Sequence, residues 1–591
     1  LTFEIGLVLM IIVIMLGCLI AEISRPEIIL FATLAVLLFI GVLNPEEALQ
    51  GFSNEGMLTV GMLFLVAGAV QQSGLLNRMI LYAVGSSRKS SNFLPRMMIP
   101  VAGMSAFLNN TPIVVMFTPV VRRWCEKRGI APSKLLIPLS YAAIFGGSLT
   151  LIGTSTNLVI HGFMLDQGMD GFTMFQLAFV GLPAGLLGIL YMTTIGYRML
   201  PERKSSSESF QESSKSYLSE AVIEPQSPVA GKTVAQAGFR SLQHMYLIEL
   251  IREGQRTAPV SGETRLQSND RLIFTGSFTT IVDLENMNGL HVKTGTDIEL
   301  ADLQNGSAAL YEAVISHRSS LIQKTVKESC FRANYGAGVV AIHRDEETMQ
   351  QKIGEVKLKA GDTILLLAPP DFFQRWANTK DFYLISPVSK PDISKNSRPI
   401  LSLTTLCAMV TLAAFQVLSM FEAAVLAVLV LLLAGTLTIE RVRRWVQFDV
   451  LLLIACAIGI GKALEQSGTA VFLAEHFTAA SSIFGVTGAL IVIYLVTSIF
   501  TEVITNNAAA VLMFPIAVEI AVRLDQDPFG FLVAVAIAAS ASFMTPIGYQ
   551  TNLIVYGPGG YRFSDYFKVG LPLNAIYLIS TVTVVSTLWI E

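Results

Sequence analysis

Charge is what this 591-residue sequence has least of. Only 14% of its residues are Asp, Glu, Lys or Arg, where a soluble globular chain carries about a quarter. The shortage is uneven. Positions 201–400 hold 23 basic and 24 acidic residues, more than half of all the charges. Cysteine is sparse as well. Cys18, Cys125, Cys330, Cys407 and Cys456 are odd in number and scattered, which excludes a secreted disulfide scaffold. No Cys/His cluster has zinc-ligand spacing, and a net charge of −3 gives no basic field for nucleic acid. There is no phosphate-cradling Gly-Lys-Ser/Thr loop, which disfavours an ATP-driven pump. No Ser-His-Asp or metal constellation stands out, and four of the six His residues fall in the charged centre. Neither an enzyme nor an organic cofactor is expected. The apolar opening lacks the cleavage-site pattern of a signal peptide.

What is present is apolar sequence, 52% of the chain at a mean hydropathy of +0.58. Apolar runs occupy 3–20, 28–43, 57–84, 97–121, 135–163 and 172–199 before the charged centre. After it they occupy 400–418, 422–437, 450–464, 483–522, 529–556 and 569–590. Several have the roughly 20 residues that span a bilayer, and others are broken by Gly, Pro and Asn. The expected fold is an α-helical polytopic protein of the plasma membrane, with lipid around it. Residues 1–200 and 398–591 are its membrane halves, and 200–398 a cytoplasmic α+β insert.

Basic residues set the orientation. Arg88, Lys89 and Arg96 precede the 97–121 run and Arg122, Arg123, Lys127 and Arg128 follow it, so both its ends belong inside. Its 25 residues cannot cross twice, which predicts a re-entrant hairpin. The acidic loop from Asp166 to Asp170 belongs outside. Arg198, Arg203 and Lys204 bring the chain back in, and Arg441, Arg443, Arg444, Arg562 and Lys568 mark later inside loops. Threaded together, these give two inverted halves with both chain ends external.

The halves are also repeats. Ala69-Val-Gln-Gln-Ser-Gly74 returns as Ala463-Leu-Glu-Gln-Ser-Gly468 at an offset of 394. Phe107-Leu-Asn-Asn-Thr111 returns as Ile504-Thr-Asn-Asn-Ala508 at 397, and Gly153-Thr-Ser-Thr-Asn-Leu158 as Gly548-Tyr-Gln-Thr-Asn-Leu553 at 395. Inverted repeats with interrupted segments at matching positions are the pattern of secondary transporters. The insert carries its own repeat at an offset of 92. Glu220-Ala-Val-Ile223 matches Glu312-Ala-Val-Ile315, Lys232-Thr-Val234 matches Lys324-Thr-Val326, Phe239-Arg240 matches Phe331-Arg332, and Arg252 matches Arg344. Two tandem modules are expected at 217–298 and 305–388, bounded by the Ser-rich stretch 204–216 and by the stretch 386–398.

The interruptions carry the chemistry. At the two hairpin tips, Asn109-Asn110-Thr111 and Thr505-Asn506-Asn507-Ala508 set amides inside hydrocarbon, where unpaired polar groups are costly. In the broken helices, Gly153-Thr154-Ser155 and Gly548-Tyr549-Gln550 permit unwound backbone. Freed N–H groups and Asn, Thr and Ser side chains suit an anion. Carbonyls and amide oxygens suit a small cation, for which the candidates are Ser105, Asn110, Gly153, Asn157, Glu502, Thr505, Asn507, Gly548 and Asn552. The substrate candidates are Asn109, Asn110, Thr111, Thr154, Ser155, Asn506, Asn507, Ala508, Tyr549 and Gln550. The plainer account of each is local helix capping. Glu502, read against Ser105 of the first half, is a candidate for Na⁺ or a coupling proton. Lys462 and Glu465 pair with each other in the plainer account.

These paired motifs resemble the divalent anion–sodium symporter family, the solute carriers of sulfate and of di- and tricarboxylates, over both flanks. The resemblance implies a homodimer, sodium coupling and elevator-like movement of the hairpin-bearing domain. This sequence departs from the family pattern in three ways. The leading Ser of each tip is Asn109 or Asn506, the second tip has Ala508 for Thr, and the second helix step has Tyr549 for Thr. Lost hydroxyls favour a compact tetrahedral oxyanion over a dicarboxylate. The insert resembles two TrkA-C modules of potassium-transport proteins, which implies a small-molecule or nucleotide regulator and, because family members with such paired modules include sulfate carriers, sulfate as the expected substrate. A proton-coupled carrier or cation antiporter using Glu502, a sodium/dicarboxylate symporter and a ligand-gated channel are the alternatives.

Overall fold

A backbone surrounded by hydrocarbon must close its own hydrogen bonds, and helices do so. In the computed structural model the first block accordingly forms α1 (Phe3–Ile20), α2 (Pro26–Ile40), α3 (Glu55–Gln72), α4 (Ser90–Ser105), α5 (Asn110–Arg128), α6 (Leu136–Gly147), α7 (Ser155–Asp166) and α8 (Ala178–Tyr191). The last block forms α9 (Pro399–Ala414), α10 (Met420–Leu433), α11 (Phe448–Gln466), α12 (Thr469–Ser481), α13 (Gly485–Val503), α14 (Asn506–Arg523), α15 (Pro528–Ser540), α16 (Gln550–Tyr556) and α17 (Phe563–Leu588). The described residues are 3–21, 23–72, 90–203, 218–239, 245–253, 255–257, 260–276, 290–293, 309–316, 319–344, 347–348, 353–369, 372–376, 379, 381–385, 399–481 and 485–590. Ser73, Gly74, Arg88, Lys89, Arg240 and the stretches 204–216 and 386–398 lie outside them.

Burial sorts the helices into layers. All twelve residues of α6 are buried, and so is the run from Gly530 to Ser540 of α15. A helix that is apolar all round belongs in the centre, and these two form it. Tyr141 of α6 donates to the Phe543 carbonyl at 2.6 Å, which ties one half to the other at their cores. The outer helices do the opposite. Phe3 is 85% exposed, Phe39 89% and Leu433 81%, a display of apolar surface that lipid accommodates and water does not. Five segments among the described residues are long and apolar enough to cross a membrane: Pro45–Gln71, Ala178–Met199, Gly485–Val503, Asn506–Arg523 and Phe563–Leu588.

The 97–121 run differs from its expected form. It is part of a longer helix pair, with α4 and α5 of 16 and 19 residues meeting at a turn over 106–109. Charged residues extend both arms, which an apolar-run reading cannot detect. In the second half the partners α13 and α14 have 19 and 18 residues, about 27–29 Å each at 1.5 Å per residue.

Between the blocks stand two five-stranded antiparallel sheets. The first contains β1 (Leu218–Ile223), β2 (Met245–Arg252), β3 (Gln255–Thr257), β4 (Arg271–Gly276) and β5 (Leu290–Lys293), in the order β3-β2-β4-β1-β5. The second contains β6 (Ala309–Ile315), β7 (Gly338–Arg344), β8 (Glu347–Thr348), β9 (Thr363–Ala368) and β10 (Phe382–Ile385), in the equivalent order. Each has a bulge at the same place, between Leu247 and Glu249 and between Val339 and Ala341. The Arg252–Asp270 pair of the first, at 2.7 Å, returns as Arg344–Asp362 in the second, also at 2.7 Å. The sequence repeat at 92 is therefore a repeat of register and ion pairing.

Tyr561 fastens the second half to the base of α6. Its buried hydroxyl accepts from the Ile137 N–H at 2.9 Å and donates to the Ser133 carbonyl at 2.6 Å. Tyr561→Phe leaves both backbone groups without this partner, and we expect a loss of about 1–3 kcal/mol. Thermal unfolding in detergent checks this as a lower midpoint with unchanged helix content.

Candidate functional site

Each helix pair breaks at polar residues, and the breaks meet. In the first tip Ser105 donates to Asn110 Oδ1 through a short bond, and Asn109 Oδ1 accepts the Thr111 N–H at 3.3 Å. In the second, Thr501 donates to Asn506 Oδ1 at 2.9 Å, and Thr505 caps α14 by accepting the Ala508 N–H at 3.4 Å. These are the same arrangement, hydroxyl to Asn five residues on.

The tips contact the opposite half's broken helix. Thr111 at the start of α5 donates to Gln550 Oε1 at the start of α16, at 3.0 Å. Its repeat counterpart Asn507, at the start of α14, accepts from Ser155 and Thr156 at the start of α7, both at 3.1 Å. Four helix N-termini thus meet in two crossed pairs. Neither Thr154 nor Tyr549, the residues before α7 and α16, makes a side-chain cap bond. Such positions normally hold a capping side chain that satisfies a first-turn N–H. Here those N–H groups and the positive ends of the helix dipoles face a polar interior.

Tyr549 alters the site in a way its residue type did not suggest. Replacement of Thr by Tyr was read as loss of a hydroxyl, yet the phenol reaches across. Its oxygen accepts from Asn110 Nδ2 at 2.6 Å and lies 3.5 Å from Thr154 Oγ1. The hydroxyl is relocated to the first tip, and the buried ring occupies the space between the halves. A small cavity of about 40 Å³ beside the first break is lined by Asn109, Gly153, Thr154 and Ser155 together with Phe64 and Leu406.

The breaks themselves are held by matched asparagines. Asn157 Nδ2 donates to the carbonyls of Gly147 at 3.2 Å and Thr150 at 2.9 Å. Asn552 Nδ2 donates to those of Ser542 at 3.0 Å and Thr545 at 3.1 Å. Glycine is required where the chain folds back. A Cβ on Gly153 would fall 2.5 Å from the Gly147 carbonyl oxygen, and one on Gly548 would fall 2.9 Å from that of Thr501.

The two halves then diverge. Asn552 Oδ1 lies 2.7 Å from Ser140 Oγ, whereas the buried Asn157 Oδ1 has no partner. In the second half Glu502 Oε2 is a buried oxygen without a hydrogen-bond partner. Glu502 Oε1 accepts the N–H groups of Phe543 and Met544, both at 2.8 Å, and so closes the end of α15. Glu502 does not match Ser105 as its position in the sequence suggests. Thr150 donates to the Ala106 carbonyl as Thr545 donates to the Glu502 carbonyl at 3.1 Å, so Glu502 is the counterpart of Ala106. Thr501 answers to Ser105, and Asn506 rather than Asn507 answers to Asn110. The Asn-Asn pairs had been aligned by identity, one residue out of structural step.

Hydroxyls supply the residues that sequence reasoning missed: Ser140, Thr150, Thr156, Thr501, Ser542 and Thr545. Thr150 and Thr545 are separated by the same 395 positions as Gly153 and Gly548, which was the available signal. Lys462 and Glu465 stand apart as a 3.1 Å surface pair. No group of three or more His, Cys, Asp and Glu residues that could hold a metal occurs among the described residues. The oxygens at the breaks are hard ligands, suited to an alkali or alkaline-earth cation rather than a transition metal.

Apolar helices facing outward around interior polar breaks define a multi-pass membrane transporter. The chain belongs to the citrate transporter family: the family described as "CitMHS: Citrate transporter" matches residues 9–529. It is similar to the uncharacterized transporter sll0640 of Synechocystis sp., at 31% identity over 98% of this chain and 96% of that protein. It is similar to sodium/sulfate cotransporter 1 of Chlamydomonas reinhardtii, at 25% identity over 91% of this chain and 84% of that one. It is also similar to the uncharacterized transporter YfbS of Escherichia coli, at 28% identity over 95% and 97%. The family is one of transporters and not of enzymes.

The crossed contacts make the site depend on both halves at once. Asn507→Ala and Ser155→Ala should each destabilise the chain, and the double variant should fall short of their sum by about 0.5–1.5 kcal/mol. A double-mutant cycle on thermal unfolding in detergent measures this. Simple additivity would mean that the 3.1 Å bond contributes nothing.

Proposed function

We propose that the chain is a sodium-coupled symporter of a small divalent anion, sulfate foremost, in the plasma membrane. The observation that carries the anion is the pair of uncapped helix N-termini, at α7 and α16, facing the tips of the opposite halves. Backbone N–H groups with Thr111, Thr154, Ser155 and Gln550 would bind an oxyanion there by neutral hydrogen bonds. Such a site favours an anion whose charge is balanced by cations bound beside it. A buried oxygen without a hydrogen-bond partner at each break, Asn157 Oδ1 in the first half and Glu502 Oε2 in the second, supports a cation there. Asn110, Gly153 and Asn157 would serve in the first half, and Glu502, Asn507, Gly548 and Asn552 in the second. Ser105 and Thr505 would hold the tips in shape.

The buried ring of Tyr549 and the short Ala508 support a compact anion over a di- or tricarboxylate. The similarity to a protein named sodium/sulfate cotransporter supports the same choice. In this reading the halves are inverted repeats, the hairpin-bearing body moves across the membrane as an elevator within a homodimer, and residues 200–398 are cytoplasmic. The two sheet modules, read as TrkA-C-like, would bind a small-molecule or nucleotide regulator. Binding of the cations first would offset the cost of bringing the anion out of water, and movement of the loaded body would carry both.

Uptake of radiolabelled sulfate into proteoliposomes, with and without an inward sodium gradient, tests the reading. The expected result is sodium-dependent accumulation, blocked by unlabelled sulfate and not by succinate or citrate. Asn110→Ala should lower it about tenfold, the loss of a hydrogen bond in a charge-bearing site. Tyr549→Thr, which empties the space between the halves, should raise competition by succinate. Uptake of citrate or succinate in place of sulfate would overturn the substrate assignment. A second reading rests on Glu502 Oε2, that the carboxylate carries a coupling proton. Sodium-driven uptake persisting in Glu502→Gln removes the proton from the mechanism, and uptake driven by a pH gradient and lost in that variant would install it.

A further inference from the structure

The two sheet modules share strand order and the Arg252–Asp270 and Arg344–Asp362 pairs, and they differ at another ion pair. In the first, Glu220 on β1 is held by Arg271 on β4, with Nε–Oε1 at 2.6 Å and Nη2–Oε2 at 3.0 Å. In the second, Glu312 occupies the equivalent place on β6, but position 363, the counterpart of Arg271, is Thr. Glu312 has therefore lost its partner within the module. It finds another on α5: Arg122 Nη1 donates to Glu312 Oε2 at 2.7 Å, with the two side chains only 7% and 8% exposed. A buried pair of this kind has both charges removed from water, so each requires the other.

The change from Arg to Thr also opens room for α16 and the turn after it. A Cβ on Gly557 would fall 3.1 Å from Thr363 Cβ, and one on Gly361 would fall 2.6 Å from Leu553 Cδ1. An arginine at 363 has no space against that backbone. The first membrane half covers the matching surface differently. A Cβ on Gly162, 395 positions before Gly557, would fall 2.5 Å from Asn54 Oδ1 and 3.0 Å from the Gly56 Cα, so there the start of α3 does the covering. The second module thus takes the place of a membrane element on one side of the site.

We propose that the second sheet module is an intramolecular partner seated on α5 and α16, fastened by Arg122–Glu312, and that its displacement reaches the anion site through these two helices. Arg122 lies twelve residues along α5 from Asn110, about 18 Å, and α16 begins at Gln550, so both contacts lead directly to the tips. The first module, whose glutamate is satisfied internally, lacks this attachment and stands as the more independent of the two. The inference rests on the transport reading only for the meaning of the tips.

Hydrogen exchange on the full chain in lipid nanodiscs tests it. Glu312→Gln should speed exchange at 553–560 by about tenfold, change exchange at the tip 106–112, and leave the sheet β1–β5 as it was. Arg122→Gln should do the same. The reversed pair R122E/E312R should return both segments to within about twofold of the parent. Unchanged exchange at 553–560 in both single variants overturns the docking. Loosened docking with an unchanged tip overturns the coupling. Loss of protection throughout the second sheet in Glu312→Gln would mark misfolding, in which case recovery in the reversed pair decides the question. Sulfate uptake is not a readout here, so a wild-type chain that transports no anion would sink the transport reading alone.

Discussion

Four helix N-termini brought together inside an apolar body is the constraint on which the rest of this structure depends. Their dipoles present like-signed ends, and their first-turn N–H groups lack the intrahelical partners that later turns have. In water such ends are hydrated. Here they are set against one another in crossed pairs, α5 against α16 and α14 against α7, with Thr111–Gln550 and Asn507–Ser155 as the side-chain contacts. That requirement explains why the residues that touch across the four ends, Thr111, Gln550, Asn507 and Ser155, are uncharged amides and hydroxyls. An amide donates to one neighbour and accepts from another, which a carboxylate or an ammonium cannot do. It also explains why the glycines fall where they do, because only close backbone approach lets the breaks fold back beside the tips.

Two copies of one plan would give two equal sides, and the structure departs from equality at the residues around the breaks. The first half keeps Ala106 where the second has Glu502, and Asn157 Oδ1 is left without a donor where Asn552 Oδ1 has Ser140. Tyr549 fills from the second half what Thr154 leaves open in the first. A symmetric site would bind two equivalent cations. This one pairs a neutral acceptor with a carboxylate whose other oxygen is already fixed by two backbone N–H groups. Holding the carboxylate by its Oε1 orients Oε2, so the charge is presented in one direction instead of being free to swing.

Much of this could be read from residues alone. The repeat at 394–397 located both breaks, because glycine and asparagine inside apolar runs have few structural explanations. The module repeat at 92 was visible for a similar reason: Arg252 and Asp270 recur as Arg344 and Asp362, and a buried aspartate paired with a partly exposed arginine constrains both members. What was hidden follows from the same physics. A one-residue shift in the tip alignment was invisible because Asn109-Asn110 and Asn506-Asn507 are indistinguishable by type, and only the hydroxyl donors Ser105 and Thr501 fix the step. Tyr549 was read as a missing hydroxyl because side-chain reach is not a property of the sequence. The lengths of α4 and α5 were underestimated since an apolar run ends where charge begins and a helix does not.

The repeats also show how one chain joins a membrane body to a folded insert. A duplicated module has a duplicated set of internal ion pairs, and every pair kept within the module leaves nothing to attach it elsewhere. Threonine at position 363, where the first module has Arg271, does two things at once: it leaves Glu312 available to Arg122, and it leaves the space that Gly557 and Leu553 occupy. Neither half of that change is useful alone, because an unpaired buried glutamate is costly and a cleared surface without a charge partner has no fixed register. The attachment therefore follows from a departure from the repeat at position 363, and the module whose glutamate is held by Arg271 makes no matching ion pair to the membrane helices among the described residues.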